Sequence, residues 1–157
     1  MALASKAFAA AGSSIYISAA LPTTHDATGF AALTWTEIGN LIDAGSGFGK
    51  QTNTTNFEPL AKKEIEQIPT NFTSGSPQIT YAYDLDGTDS GQAIMVAAAE
   101  SEDYHSIKLV LSNGDVVYCK ARVMGTPLNV GTVGNLVQYQ STLSIYNEGL
   151  GFVRVAA

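Results

Sequence analysis

The amino-acid sequence predicts a mainly β protein, an antiparallel β-sandwich or partial barrel with one flanking α-helix. Short runs in which apolar and polar residues alternate recur along the 157-residue chain. One run has the length and end signals of a helix, and Asn113-Gly114 marks a β-hairpin. A chain of this length is expected to form a single domain over residues 1–157, large enough to bury a core.

The chain begins with a segment rich in small residues, residues 1–12, which we interpret as an N-terminal arm. Its apolar part is short and is interrupted by Lys6, which argues against an export signal. The first strand is expected over Ser13–Ala19, with Ile15 and Ile17 on one face.

A polar connection is expected over residues 22–29, followed by a second strand over Leu33–Ile42. The only tryptophan, Trp35, is the expected core anchor of this strand. Residues 43–76 then combine glycines, polar residues and locally balanced charges, which predicts a long flexible loop that is solvated or faces another subunit. Its candidate contact residues are Asp43, Gly45, Gly47, Phe48, Gly49, Lys50, Phe57, Lys62, Lys63, Glu64 and Glu66.

A third strand is predicted over Pro77–Leu85. It alternates cleanly, and its apolar face carries Ile79, Tyr81, Tyr83 and Leu85. Residues 90–100 predict a helix with Asp89 or Ser90 as N-cap, because a side-chain oxygen there satisfies amides of the first turn. Tyr81, Tyr83 and Ile94 join Trp35 as the expected core anchors.

A hairpin is predicted from Ser106–Ser112 and residues 115–123, joined at Asn113-Gly114. This dipeptide tolerates the positive φ angles of a type I′ turn. The last strand is expected over Leu136–Asn147. It has a long neutral face that carries Gln138, Gln140, Thr142 and Ser144.

The composition indicates a surface that other molecules cover. Hydrophobic residues make up 45% of the chain and charged residues only 14%, a low charge density for a soluble monomer. The simplest interpretation is that copies of the same chain cover this surface. The net charge of −6 gives no electrostatic footprint for gripping nucleic-acid phosphates.

No catalytic, metal or cofactor site is predicted. Gly45–Lys50 resembles a phosphate loop, but Gln51 stands where Ser or Thr would hold magnesium. Asp84–Asp89 resembles a calcium loop, but Met95 stands where the bidentate glutamate belongs. Neither of the two histidines has a cysteine or histidine at the spacing of a metal site. The sequence also has no Gly-x-Ser-x-Gly motif that would supply a nucleophile for a catalytic triad. The single cysteine, Cys119, cannot form a disulfide within the chain, which fits folding in a reducing cytoplasm. No apolar run in the sequence has the length of a membrane span.

The order of elements resembles the major tail tube protein of lambda-like, long-tailed bacteriophages. The resemblance rests on the Trp35 strand, the long glycine-rich loop, the Gly91-Gln92-Ala93 helix start, the Lys108–Gly114 hairpin arm and the ending Ser144–Gly149. It covers about residues 35–149. It implies the tail-tube fold, in which one helix flanks a β-sandwich or partial barrel.

The resemblance also implies a function in the virion. Six subunits form a ring, and the rings stack into a tube assembled in the host cytoplasm, through which DNA passes without specific binding. The implied partners are the tape-measure protein, the tail tip or initiator, and the terminator. The 43–76 loop would then contact adjacent subunits, and Thr36, Gln138, Gln140, Thr142 and Ser144 are the lumen candidates. A net negative charge would make the lumen repel DNA.

Two other classes of protein remain open from the sequence. Another ring-forming virion part, such as a tail terminator or head-tail joining protein, would form rings without long stacks. A carbohydrate-binding or adhesin module would share the alternating strands and would use Trp35, Tyr81 and Tyr83 to stack on sugars.

Overall fold

The computed structural model describes residues 9–146 and 152–156 and confirms a mainly antiparallel β fold. The predicted arm, residues 1–12, therefore lies mostly outside the described residues. The described elements are β1 (Ser14–Ser18), α1 (Ala27–Ala31), β2 (Thr36–Glu37), β3 (Leu41–Asp43), β4 (Gln51–Phe57), β5 (Glu66–Thr73), β6 (Gln78–Ala82), α2 (Ser90–Ser101), β7 (Tyr104–Val110), β8 (Val116–Val123), β9 (Leu128–Asn129), β10 (Gln138–Ile145) and β11 (Phe152–Val155).

Nine of these strands form one sheet, in the order β2-β1-β7-β8-β10-β6-β3, and it does not close into a barrel. Strand β11 pairs with the first half of β8, and β9 pairs with the start of β10. Strand β10 is shared between two halves of the sheet, because residues 138–142 pair with β6 and residues 143–145 pair with β8. The shared strand therefore joins the two halves into one continuous structure.

Helix α2 covers one face of this sheet. Its N-cap is Asp89, whose Oδ1 accepts from the Gln92 amide at 3.1 Å, and Met95 and Ala98 of the helix are fully buried. The sheet contributes Ile15, Ile17 and other aliphatic side chains with no exposed surface. Alternation in the strands therefore places the apolar residues against the helix.

A second, smaller cluster covers one end of the opposite face. Phe30 of α1 stacks on Tyr118 with ring centroids 5.3 Å apart, and Trp35 donates from Nε1 to the Phe30 carbonyl at 3.1 Å. The polar connection predicted over residues 22–29 contains the start of α1, which Asp26 caps by accepting from the Gly29 amide. This hydrogen bond lowers the pKa of Asp26. Trp35 is only half-buried and belongs to this second cluster.

The second and third predicted strands differ most from the expected bounds. The second strand is split into β2 and β3 because Asn40 has a φ of +56°, and Ile38 (1% exposed) is the deeply buried residue there. The third strand ends at Ala82, which leaves Tyr83 47% exposed and Leu85 91% exposed. Of the expected core anchors, Tyr81 is fully buried, whereas Ile94 is half-buried against the core.

The turn between β7 and β8 differs from the predicted type I′ turn. The Gly114 amide donates to the Leu111 carbonyl at 2.9 Å, and the Leu111 amide donates to the Asp115 carbonyl at 2.8 Å. Only Gly114, with a φ of +95°, has positive φ in this turn, whereas type I′ requires it at Asn113 as well. The loop is therefore a three-residue connection with glycine at the left-handed position, and the Asn113 side chain accepts from the Asp115 amide.

Candidate assembly surfaces

The segment predicted as a flexible loop is mostly a β-hairpin. Strands β4 and β5 pair antiparallel from Gln51↔Thr73 to Phe57↔Glu66, with an irregularity between Thr52 and Thr54. The prediction failed because every residue of β4 is exposed, so no apolar alternation marks the strand. Its threonines instead supply the β-branched side chains that favour extended backbone.

The backbone conformation at the base of the hairpin accounts for the glycines on either side of it. The Gly49 amide donates to the Ser74 carbonyl at 3.2 Å, which continues the pairing of β3 with β6 toward β4 and β5. Gly45, Gly47 and Gly49 all have positive φ. At Gly75, whose φ is +105°, a Cβ atom would overlap the Gly47 carbonyl oxygen, so only glycine fits. The glycines therefore allow the two backbones to approach closely.

Phe48 ties the hairpin base to the rest of the molecule. Its ring packs against the edge of the core and lies 6.4 Å from the Phe152 ring in an edge-to-face arrangement. Lys50, two residues on, lies over the Phe72 ring at 4.7 Å. Asp43 ends β3 and accepts from the Gly45 amide at 2.8 Å. These contacts hold the base in place, whereas the tip projects away.

The outer part of the hairpin carries exposed apolar side chains. Phe57 is 50% exposed, Ile65 60% and Leu60 fully exposed. Thr55 pairs directly with Ile68 and lies two residues from Phe57 along β4. Phe57 and Ile68 therefore share one face of the hairpin. Lys62, Lys63 and Glu64 are exposed at the tip. The hairpin thus presents an apolar surface with a charged rim, which is typical of an interaction site.

A second exposed extension was not predicted. Residues 124–137 connect β8 to β10 and contain β9, and the Met124 amide donates to the Thr142 carbonyl at 2.8 Å. Large apolar side chains on this extension are exposed, namely Met124, Leu128, Val130, Val133 and Leu136. The signal available in the sequence was the spacing of turn residues Gly125, Pro127, Gly131 and Gly134 between apolar residues.

Strands β3, β6, β10 and β9 form a four-stranded part of the sheet with two edges. Among the described strands, each of the edge strands β3 and β9 pairs with one neighbour only. Each edge carries an exposed apolar residue, Ile42 (52% exposed) on β3 and Leu128 (48% exposed) on β9. Open edges of this kind are templates for pairing with another chain.

The predicted lumen residues are divided between the two faces of the sheet. Gln138, Gln140, Thr142 and Ser144 alternate with buried Ser141, Leu143 and Ile145, so they lie together on the face away from α2. Thr36 lies directly opposite Ile17, whose side chain is in the core on the α2 side. Grouping Thr36 with the four β10 residues was therefore wrong, because directly opposed residues share a face.

Gln92 fixes the position of the β3 edge. Its Nε2 donates to the Gly39 carbonyl at 3.2 Å and to the Ala82 carbonyl at 2.8 Å, and its Oε1 accepts from the Asp84 amide at 3.2 Å. The side chain is only 6% exposed. One amide therefore joins α2, the residues before β3 and the end of β6. Nothing in the sequence marks Gln92 for this role.

Few groups suited to catalysis or metal binding occur together among the described residues. A groove of about 490 Å³ lies between the start of β1, the end of β7 and β3, and Asp43 is the only ionisable residue in its lining. No group of three or more metal-ligating side chains occurs within residues 9–146 and 152–156. No described helix is long and apolar enough to span a membrane. Burial raises the pKa of the Cys119 thiol to about 12, which keeps it protonated at neutral pH.

Comparison with known proteins identifies the fold. No protein-family model matches the chain, and no curated protein matches it. A sheath/tube terminator of an extracellular contractile injection system, PVC, is similar over 96% of this chain and 97% of its own, at 9% identity and a TM-score of 0.61. The tube-terminating cap of the anti-feeding prophage is similar over 100% of both chains, at 10% identity and a TM-score of 0.57. The SPP1 tail tube protein is similar over 92% of this chain and 77% of its own, at 15% identity and a TM-score of 0.57. The chain therefore has the fold that tail tube and tube terminator proteins share.

Proposed function

We propose that this protein is a structural subunit of a bacteriophage tail tube, similar to the major tail tube protein of lambda-like, long-tailed phages. Six copies form a ring, the rings stack, and DNA passes through the lumen during delivery. The observation that carries the proposal is the four-stranded part of the sheet, whose two edges each expose an apolar side chain. In a ring, β9 of one subunit pairs with β3 of the next, so that the edges disappear.

The two exposed extensions supply the remaining contacts. The hairpin β4–β5 projects from the sheet and carries Phe57, Leu60 and Ile65, which are suited to packing on an adjacent subunit or ring. The charged residues Lys62, Lys63, Glu64 and Glu66 surround these side chains and would set the register of the contact. The partners in this proposal are further copies of the chain, the tape-measure protein, the tail tip or initiator, and the terminator. The protein acts in the virion after assembly in the host cytoplasm.

The face of β10 that carries Gln138, Gln140, Thr142 and Ser144 is proposed as part of the lumen. All four residues are uncharged and half-buried, and they belong to the strand at the centre of the four-stranded part. A neutral hydrogen-bonding face suits a conduit, since it stays wet without holding a passing polymer tightly. Thr36 is not included, because its position opposite Ile17 places it on the α2 side of the sheet.

A tube terminator is the second candidate function. It is favoured by the two terminating proteins, which this chain matches over 96% or more of both lengths. A terminator would form a ring that ends a tube, so one end of it would meet a different partner. The two candidates therefore differ in whether rings of this chain stack on one another.

Electron microscopy of the purified protein at increasing concentration tests both candidates. Long hollow tubes are expected for a tube subunit, and isolated rings for a terminator. Persistent monomers at high concentration, with ligand-dependent melting in a glycan screen, would instead favour the carbohydrate-binding module.

An edge variant sharpens this test. Ile42→Lys places a charge on the open β3 edge and is expected to prevent ring formation while the fold is retained. Leu85→Lys is the matched control, because Leu85 is 91% exposed and lies outside the strands. Rings formed equally well by both variants would contradict pairing through the β3 edge.

A further inference from the structure

The groove beside β3 is an opening in the apolar core. Four side chains that line it pack against the core but remain partly exposed, namely Leu41, Ala44, Phe48 and Leu111. Its volume is about 490 Å³, which falls within the range of about 300–1,000 Å³ for pockets that bury a ligand. The groove can therefore bury apolar side chains that are supplied from outside the core.

The shape of the groove suits an extended segment. Residues 41–45 all line it, and so do residues 10–13. Because successive side chains of a strand point to opposite faces, a groove lined by consecutive residues runs along the edge of the strand and not over one face. Ile42, which is 52% exposed on the open β3 edge, is one of the lining residues. An occupant of the groove would therefore also cover the β3 edge.

The described chain begins beside this groove. Ser112 Oγ donates to the Ala9 carbonyl at 2.6 Å, and the Ser13 amide donates to the Ala10 carbonyl at 3.0 Å. These hydrogen bonds fix the start of the chain where Ala10 and the next residues line the groove. Residues 1–8 precede this point, and eight residues in extended conformation span up to about 26 Å. They are long enough to run along the groove.

The composition of residues 1–8 matches the lining of the groove. Their large apolar residues are Met1, Leu3 and Phe8, and their one charged residue is Lys6. The lining is apolar apart from a few polar groups, and its only ionisable residue is the exposed Asp43, whose charge is opposite to that of Lys6. A segment joined to the groove by one or two residues also acts at a high effective concentration, so it outcompetes an unlinked peptide of equal affinity.

We propose that residues 1–8 occupy this groove of their own subunit and cover the β3 edge while the subunit is free. Their apolar side chains fill the opening in the core, and Lys6 lies near Asp43. The effect on assembly rests on the proposed function, in which β9 of the next subunit pairs with β3. Ring formation must then displace the segment first, so the segment opposes pairing between free subunits.

Disulfide formation in the full-length protein tests the position of the segment. Ala7→Cys/Ala44→Cys places one thiol in the segment and one in the groove, and dilute protein treated with oxidised glutathione is expected to form an intramolecular disulfide. Ala7→Cys/Ala97→Cys is the matched control, because Ala97 is exposed on α2 and does not line the groove. It should cross-link at least about tenfold more slowly, since its thiols are not held at high effective concentration. Cys119 does not interfere, because burial raises the pKa of its thiol to about 12.

Replacing the apolar side chains of the segment should free the groove. A fluorescein-labelled peptide of residues 1–8, followed by anisotropy, should bind full-length Leu3→Ser/Phe8→Ser at least about tenfold more tightly than wild type, whose own segment competes. Ala4→Ser/Ala7→Ser is the matched control, because it adds the same hydroxyls and keeps both large side chains. It should bind the peptide like wild type. Leu3→Ser/Phe8→Ser should also assemble at a lower protein concentration than wild type, because its β3 edge is open.

Measurements on free subunits separate this proposal from the proposed function. If microscopy shows no rings, the proposed function fails, and cross-linking and peptide binding still test the groove. Equal cross-linking rates of the two double-cysteine variants, or equal peptide binding by the two double-serine variants, would overturn the proposal. Disulfide-linked dimers in dilute protein would also overturn it, because the segment would then occupy a second copy. Rings that form at an unchanged protein concentration in Leu3→Ser/Phe8→Ser would overturn the covering of the β3 edge.

Discussion

The sheet under α2 and the hairpin β4–β5 are both antiparallel β structure, but they are stabilised in different ways. In the sheet, side chains such as Ile17, Ile107 and Leu143 have no exposed surface. In the two strands of the hairpin, every residue is exposed except Thr73, which is half-buried. A two-stranded hairpin is marginally stable in water by itself, so this hairpin gains most of its stability from whatever packs on it. The sheet specifies the fold of the subunit, and the hairpin is available for contacts between subunits.

The largest expected difference between the two regions concerns aliphatic truncation. Leu143→Ala in the sheet should lower the free energy of unfolding by about 2–5 kcal/mol, because it leaves a cavity in a packed core. Ile68→Ala in the hairpin, at a residue 42% exposed, should cost less than about 1 kcal/mol. Urea denaturation followed by circular dichroism measures both. Equal losses would mean that the hairpin is part of the cooperative core.

A smaller difference is expected for side-chain amides. Gln92→Ala should lower the free energy of unfolding by about 1–3 kcal/mol, because it leaves two carbonyls and an amide without their buried partner. Asn53 of the hairpin donates to Asn71 at 3.0 Å, but this bond is exposed to water. Asn53→Ala should therefore change stability by less than about 0.5 kcal/mol. A Gln92→Ala protein as stable as wild type would show that water replaces the three hydrogen bonds.

An apolar-to-polar change in the hairpin should separate folding from assembly. Phe57→Ser should change the stability of the free subunit by about 0.5 kcal/mol or less, since half of the ring is already in water. It should nevertheless reduce the assembled fraction in sedimentation at equal protein concentration, because serine cannot replace the apolar packing of the phenylalanine ring on a neighbouring subunit. Thr55→Ser, at a neighbouring position of the same face, is the control. Normal assembly of Phe57→Ser would exclude this side chain from the interface.

The smallest effect at neutral pH concerns the buried thiol. The pKa of Cys119 is about 12 in the folded protein, against an ordinary value near 9.0. Between these values the unfolded thiol ionises and the folded one does not, so stability falls as the pH rises from about 9 toward 12. The stability difference between wild type and Cys119→Ala should therefore be constant below pH 9 and should shift in favour of the variant above it. A difference independent of pH would mean that the thiol is accessible to water.

The parts of the fold with strong local signals could be predicted from the sequence. Helix α2 follows from its cap at Asp89 and a run of good helix formers, and β10 follows from strict alternation. The hairpin β4–β5 could not be found this way, because alternation reflects burial and the hairpin has almost none. The exposed extension over residues 124–137 shows no alternation either, and only the spacing of its turn residues marks it in the sequence.

The arrangement of the strands in the sheet also could not be predicted from the sequence. The face on which Thr36 lies depends on its register with Ile17, and register is set by pairing between strands distant in sequence.

The position of the hairpin has a consequence for engineering. Strands β3 and β6, which precede and follow it, are hydrogen-bonded neighbours, so the chain leaves the sheet and returns to nearly the same point. Because the pairing of β3 with β6 already holds the two ends of this segment together, lengthening the segment between them adds little entropic cost. A peptide tag inserted among residues 60–63 should therefore be displayed on folded subunits, and mixed assemblies of tagged and untagged copies would reveal how many hairpins a growing polymer needs.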